Sequence, residues 1–265
     1  MHRFFITTVQ GQSTILAGET VSLPQKVAHQ VREVLHLAVG EQLVLLDNSG
    51  DELVCVIASS SRSIVEVEVI ERRVGKSESP VHIILCQGLL KSAARFEWLL
   101  EKGTELGVAT FAPMVCHRST SGLEDARPAK IQRWQRIIQE ATEQCERARL
   151  PELLPIRPLT HVLNDISPSA LAVMAWEEAQ GPSLHEALQT IQLRASQDMP
   201  STITIVLFIG SEGGLTTEEV LLAQEHGVQV VTLGSRILRA ETAALAAIAN
   251  VMYELEAGSG VKPRL

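Results

Sequence analysis

The chain of 265 residues is 45% apolar and 20% charged, the balance of a globular protein of one large domain or two ordinary ones, which excludes a disordered chain. Its net charge of −8 is unevenly spread: residues 1–76 hold 7 basic and 9 acidic side chains, residues 77–150 hold 10 and 9, and residues 151–265 hold 6 and 13. The acidity sits in the last part, so a basic face for nucleic acid remains open in the first two thirds, whereas 3% aromatic residues argue against a base-stacking platform for single strands.

The first residues, MHRFFITTVQ, lack the basic region and apolar core of a signal peptide, and no apolar run approaches the ~20 residues that span a bilayer. A cytoplasmic protein with no membrane association is expected. Between Pro24 and Leu37, the residues Val27, Val31, Val34 and Leu35 fall at helical spacing and predict a short helix. Two apolar runs around Asp47-Asn48-Ser49-Gly50 predict a hairpin. The alternation in SIVEVEVI predicts a strand with Val65, Val67 and Val69 on one face and Glu66 and Glu68 on the other. Short strands with one helix suggest a small β-barrel. RRVGKSESP (72–80) mixes charge, Gly, Ser and Pro without periodicity and reads as a linker.

From residue 81 the rhythm changes to strand, helix, strand. VHIILCQ is a buried-strand run, and AARFEWLLEKGTELG places Phe96, Leu99, Leu100 and Leu106 near one helical stripe that ends at Gly107. A longer helix follows, with Ile131, Trp134, Ile138, Ala141, Cys145 and Ala148 on its apolar stripe. Lys130, Arg133, Arg136, Arg147 and Arg149 lie on its other face, either as a solvated face of salt bridges or as a phosphate-facing surface. LAVMAW, TITIVLFI and VQVVTL are further strands, and the helical segments between them predict an α/β domain with a largely parallel sheet. Cys55, Cys86, Cys116 and Cys145 form no CxxC pair and read as reduced packing thiols. The eight histidines form no HxxxH pair, so no metal centre is expected.

The stretch FIGSEGGLTTEEV (208–220) puts three glycines and Glu212 between a strand and a helix whose start is marked by Thr216 and Glu219 as a capping box. A glycine loop there is either a tight turn or a place where a ligand lies against bare backbone. It is neither GxGxxG nor GxxxxGK[ST], which disfavours a dinucleotide or P-loop site. A second loop, GSRILRAETAA, follows the VQVVTL strand. If consecutive parallel strands are neighbours, both loops leave the same sheet edge side by side. Arg236 and Arg239 then frame a site beside the glycine loop. Leu245, Ile248, Met252 and Leu255 define the last amphipathic helix, and its small residues permit close packing against another helix or a second subunit.

FIGSEGGLTTEE, LGSRILRAETAALAAI, LEKGTELGV and RWQRIIQEATEQ closely resemble the RsmE family of ribosomal RNA methyltransferases in the SPOUT superfamily. HRFFI and VREVLHLAVGEQLVLLD resemble that family's amino-terminal module, so the resemblance covers nearly the whole chain. Ser211 and Ser235 stand where the family usually has Pro, Ala240 where it has Thr, and His36 where it has Arg. The resemblance implies an α/β protein with a PUA-like β-barrel RNA-binding domain at 1–74 and a knotted SPOUT domain at 75–265, acting as a homodimer. It implies transfer of a methyl group from S-adenosylmethionine to N3 of a uridine in 16S ribosomal RNA, in the assembled small subunit. Phe208, Ile209, Gly210, Gly213, Leu233, Gly234, Ile237, Leu238 and Ala243 would wrap the cofactor, with Met174 and Glu177 as further candidates. Arg236 and Arg239 would stabilise the uracil anion, and Glu212 is the candidate base, while Glu241 is expected to cap a helix or hold an arginine. Arg3, Arg32, Arg62, Arg72, Arg73, Lys91 and Arg95 are the candidate RNA phosphate contacts. Two other readings stay open: a Rossmann-like nucleotide enzyme, disfavoured by the single glycine in VHIILCQGLLKS, and a non-catalytic RNA-binding assembly factor.

Overall fold

The computed structural model describes residues 1–6, 15–62, 64–120, 122, 124–125, 127–195 and 202–256. The chain forms two compact units, one from Met1–Glu78 with Thr142–Leu150, the other from Ser79–Ala141 with the chain from Pro151 onward. In the first unit, β1 (Arg3–Phe5), β2 (Thr20–Ser22), β3 (Gln42–Leu46), β4 (Asp51–Ser60) and β5 (Val65–Val74) form one sheet in the order β1-β3-β4-β5-β2. The predicted hairpin is β3 and β4, turned by Asn48 (φ 65°) and Gly50 (φ 97°), the backbone that Asn and Gly tolerate best. Val65, Val67 and Val69 are fully buried against Leu43, Leu45, Leu53 and Ile57, with Val27 and Val31 above them. The sheet's edge strands β1 and β2 do not pair with each other among the described residues, so it is an open sheet here and not the closed barrel that short strands suggested.

Three local features depart from the sequence reading. The helix α1 (Gln25–His29) continues as a π-helical turn over Gln30–Val34, closed by Leu35 N–H donating to the Gln30 carbonyl. The wider turn changes the helical phase and leaves Val34 60% exposed instead of on the apolar stripe. Strand β5 runs to Val74, so Arg72 and Arg73 belong to its ladder with β4 and not to a linker. The long predicted helix stops at Gln144, and Glu146 turns the chain at φ 63°. The Glu78 carboxylate then accepts hydrogen bonds from Arg147 Nη2 (3.1 Å) and the Ala148 and Arg149 amides (3.0 Å each), and Ala148 packs on Phe5, Val44 and Leu46. Ala148 is therefore core of the first unit and not part of the helix stripe.

The second unit contains β6 (Val81–Gly88), α2 (Ala93–Glu105), β7 (Val108–Val115), α3 (Pro128–Gln144, whose last residues belong to the first unit), β8 (Glu152–Leu153), β9 (Arg157–Pro158), α4 (Leu159–Asn164), β10 (Leu171–Ala175), α5 (Leu184–Ala195), β11 (Ile203–Ile209), α6 (Thr217–Glu225), β12 (Gln229–Val231) and α7 (Ala240–Glu256). Its sheet has the order β12-β10-β11-β6-β7-β8, with β9 also on β7, and every pair is parallel. Period-two alternation sends Ile83, Leu85, Val173, Ile205, Leu207 and Ile209 to one face, under α2, α3, α5 and α7. It sends Cys86, Ala172, Met174, Val206 and Phe208 to the other, under α4 and α6. Covering both faces is what a parallel sheet needs, and it explains why these strands read as unbroken apolar runs.

Strands β11 and β12 are not neighbours, contrary to the expectation from consecutive order, because β10 lies between them. The burial pattern gives the reason. Val206–Ile209 are buried on both faces and suit the sheet's centre, whereas the three-residue β12 is half exposed and takes an edge. All strands still point the same way, so the loops after β10, β11 and β12 gather at one end of the sheet.

Candidate active site

Those three loops enclose a cleft of about 550 Å³, the size of a typical small-molecule site. Its walls are the chain from Ala175 to Glu177, from Ile209 to Leu215 and from Thr232 to Ala240, closed by Ala243 of α7 and Arg95 of α2. Of the residues singled out in the sequence, Glu177, Ile209, Gly210, Gly213, Leu233, Gly234, Ile237, Leu238, Ala243, Glu212, Arg236, Arg239 and Arg95 are brought together here. Met174 and Phe208 are not. Both are fully buried on the opposite face of the sheet, where alternation along β10 and β11 directs them. Ser211, Leu215, Trp176 and Thr232 line the cleft as well. Their signal was position alone, each lying within two residues of a strand end or of a loop glycine.

The glycine loop is held from several sides. Its helix α6 starts on the predicted capping box: Thr216 Oγ1 accepts from Glu219 N–H (3.2 Å), and Glu219 Oε2 accepts from Thr216 N–H (2.9 Å). Glu219 Oε1 also accepts from His117 N–H at 2.7 Å, which ties the turn after β7 to the same helix end. Arg118 from that turn donates to the Gly213 carbonyl at 3.2 Å. A Cβ on Gly213 would lie 2.8 Å from Arg118 Cβ, and one on Gly88 only 2.4 Å from Ser211 N. The missing side chains thus admit the protein's own backbone as much as any ligand.

Polar groups at the loop are arranged around its main chain. Gln87, 1% exposed at the end of β6, donates Nε2 to the Gly88 and Gly210 carbonyls at 3.0 Å each. Glu212 accepts from the Lys91 amide through both oxygens, at 3.0 and 3.1 Å, so the candidate base is anchored to the start of the β6–α2 connection. Arg236 and Arg239 are exposed and have no side-chain hydrogen bond or ion pair among the described residues. Ile237 between them is 88% exposed. Below the cleft, burial pushes the Cys116 thiol up to about 12, helped by the negative charge of Glu219, so it stays a neutral packing group. No cluster of three or more His, Cys, Asp or Glu that could hold a metal ion occurs among the described residues.

The candidate RNA contacts divide sharply. Arg3 is paired with Glu52 (2.8 Å) and Glu146 (3.5 Å) with its side chain 9% exposed, and Arg72 is paired with Asp47 (3.1 Å) and Asp51 (2.8 Å). Both are committed to holding the first unit together. Arg73 also bonds Glu52, and Arg32 bonds Glu33 and the Ser61 carbonyl, though each keeps exposed surface. Arg62 and the Lys91 side chain are exposed. On α3, Arg133 pairs with Glu97 and Arg136 with Glu140, so the solvated, salt-bridged reading of that face holds for these two.

A parallel sheet covered on both faces, with a cleft of loop backbone at the carboxyl ends of its strands, defines an α/β enzyme that binds a small ligand beside a cationic rim. The RNA methyltransferase domain family matches residues 77–252, which covers most of this unit. The ribosomal RNA small subunit methyltransferase E of Bacillus subtilis (strain 168) is 31% identical over 257 residues, covering 97% of this chain and 98% of that protein. The protein of the same name from Synechocystis is 33% identical, covering 89% of this chain and 74% of its own. A crystal structure of the Neisseria gonorrhoeae ribosomal RNA small subunit methyltransferase E bound to S-adenosyl methionine superposes with a TM-score of 0.79 at 29% identity, covering 96% of this chain and 98% of that one. The chain belongs to the ribosomal RNA small subunit methyltransferase E family.

Proposed function

We propose that this protein transfers the methyl group of S-adenosylmethionine to N3 of a uridine in the 16S RNA of the small ribosomal subunit. The observation that carries the reading is the convergence of the two loops after β11 and β12 on one backbone-walled cleft, with Arg236 and Arg239 unpaired at its rim. The residues present fit the cofactor. Main chain lining the cleft from Gly210 to Leu215 and from Thr232 to Leu238 offers amides and carbonyls for an adenine and an amino-acid moiety, and Ile209, Leu215, Leu238 and Ala243 supply apolar wall. Bound there, S-adenosylmethionine supplies an electrophilic methyl group on a sulfonium.

The chain's own residues then have three tasks. Uracil N3 is protonated at neutral pH and becomes nucleophilic only when its proton leaves. Glu212, fixed by the Lys91 amide at the cleft wall, is the proposed acceptor of that proton; a carboxylate has roughly four acceptor sites, so one amide does not exhaust it. Arg236 and Arg239 stabilise the resulting anion as permanent cations. The loops would hold the methyl donor and the uracil nitrogen in line.

The first unit would act as a PUA-like RNA-binding domain, with Arg62, Arg73 and Arg32 as phosphate contacts and domain limits near 1–74 and 75–265, and Lys91 of the second unit would add a further contact. The second would carry the deep trefoil knot of the SPOUT fold, a reading that rests on the family resemblance of its two carboxy-terminal loops. A homodimer acting on the assembled subunit in the cytoplasm completes the proposal. Trp98 on α2 and Tyr253 on α7 support a dimer, being 45% and 76% exposed on two helices that pack together. No helix among the described residues is long and apolar enough to cross a membrane. Nucleoside mass spectrometry tests the reaction. Small subunits from cells lacking this protein should gain 3-methyluridine when incubated with the protein and S-adenosylmethionine; RNA that gains no methyl group would refute it.

A further inference from the structure

Glu241 is 7% exposed in the first turn of α7, an unusual place for a carboxylate. Among the described residues its one ionic partner is Arg95 of α2, with Nε 3.6 Å from Oε1, and its buried Oε2 has no hydrogen-bond partner. The positive end of the α7 dipole lowers the cost of burying this charge but does not remove it. Such a group is hard to explain as a stabilising pair, because a buried ion pair with loose geometry contributes little. It is easier to explain by what it does to its partner.

Arg95 lines the cleft, its side chain is 43% exposed, and it has no other side-chain partner among the described residues. Glu241 meets it at Nε, the nitrogen nearest the aliphatic stem. The terminal Nη1 and Nη2 groups, which form the fork that matches an oxyanion, are left unpaired. A guanidinium held at its base and open at its tip is a preorganised anion receptor. Its exposure places it at the rim with Arg236 and Arg239, where a macromolecular substrate arrives, and not at the floor, where a small cofactor is enclosed.

We infer that Glu241 is a positioning residue that holds Arg95 across the cleft mouth so that its guanidinium takes an RNA phosphate beside the reacting base. The inference rests on the methyltransferase reading above and adds the residue that orients one of its substrate contacts. It also explains why a glutamate stands two residues after Arg239 in SRILRAE: the same short segment carries two rim arginines and fixes a third from a different helix.

The test is a double-mutant cycle on the full-length protein with Glu241→Gln, which keeps the shape and removes the charge, and Arg95→Lys, which keeps the charge and removes the fork. Each single variant should raise KM for the RNA about tenfold, the scale of one charge-assisted hydrogen bond, with kcat and the Kd for S-adenosylhomocysteine little changed. Because Glu241 acts through Arg95, the double variant should be no worse than Arg95→Lys alone. Additive effects, an unchanged KM for RNA, or a loss confined to cofactor affinity would overturn the inference. Arg95 is partly exposed, so Arg95→Lys remains informative if Glu241→Gln fails to fold. An inactive wild-type protein would sink the functional reading as a whole, whereas an active wild type with unaffected variants would sink this inference alone.

Discussion

Adding one methyl group at Gly88 probes how closely the end of β6 supports the glycine loop. A Cβ built there lies 2.4 Å from Ser211 N, 2.7 Å from Gly210 C and 3.1 Å from Ser211 Cα. All three are backbone atoms, so no side-chain rotation relieves the contact. Restoring ordinary contact at 3.4 Å requires the loop to retreat by about 1 Å from 2.4 Å. The loop cannot retreat freely, since Gln87 holds the Gly210 carbonyl at 3.0 Å and Gly214 N–H holds the Ser211 carbonyl at 3.0 Å. Overpacking of this kind costs about 1–3 kcal/mol. For a unit of this size it should lower Tm by about 2–12 °C. A displacement of about 1 Å at a reacting centre costs on the order of a hundredfold in rate. The Gly88→Ala variant should therefore show a lower melting temperature, weaker S-adenosylhomocysteine binding by calorimetry, and methyl transfer reduced further still. Gly181→Ala is the control, because its Cβ would meet only the Val230 carbonyl at 3.1 Å. Wild-type cofactor affinity and melting in Gly88→Ala would refute the argument that bare backbone at this contact shapes the cleft.

Replacing Arg239 or Arg236 by Ala should lower kcat by about a hundredfold while leaving the Kd for S-adenosylhomocysteine within about twofold, since their task lies in the transition state; single-turnover methyl transfer and calorimetry separate the two. Affinity for RNA should fall steeply with salt, and Lys91→Ala should reduce the slope of log K against log salt by about one. Burial alone would raise the Glu52 carboxyl, but hydrogen bonds from Arg3 and Arg73 outweigh it and hold its pKa below the ordinary 4.5. The unfolded chain then binds the extra proton, so this contribution to stability is complete above pH 4.5 and is lost as pH falls through the lower folded value. Melting temperature followed from pH 6 to pH 3 should drop, and Glu52→Gln should flatten part of that drop.

Much of the second unit was legible because its signals are local. Thr216 and Glu219 form the capping box that their spacing announces, and Gly107 takes the positive φ expected just past helix α2. The unbroken apolar runs in β6, β10 and β11 report a sheet covered on both faces. What was not legible depends on partners far apart in sequence. The insertion of β10 between β11 and β12 leaves no trace in periodicity, because the choice of sheet edge follows from burial of the finished sheet. Ala148 keeps helical spacing with Trp134 and Ile138, yet Glu78 collects the chain after Gln144 into the first unit. Charge counting could not distinguish Arg3 and Arg72, which are paired with Glu52, Asp47 and Asp51, from Arg62, which stands exposed. The same limit applies to Met174 and Phe208. Each sits one residue from a cleft wall, and only strand phase shows that they face the other way.

Hydrogen–deuterium exchange with and without S-adenosylhomocysteine tests the shared grip of the two loops most directly. Protection should appear together on residues 210–215 and 232–240, with little change in the sheet beneath them. Protection confined to one of these segments, or found elsewhere in the chain, would contradict a cofactor held jointly by the loops after β11 and β12.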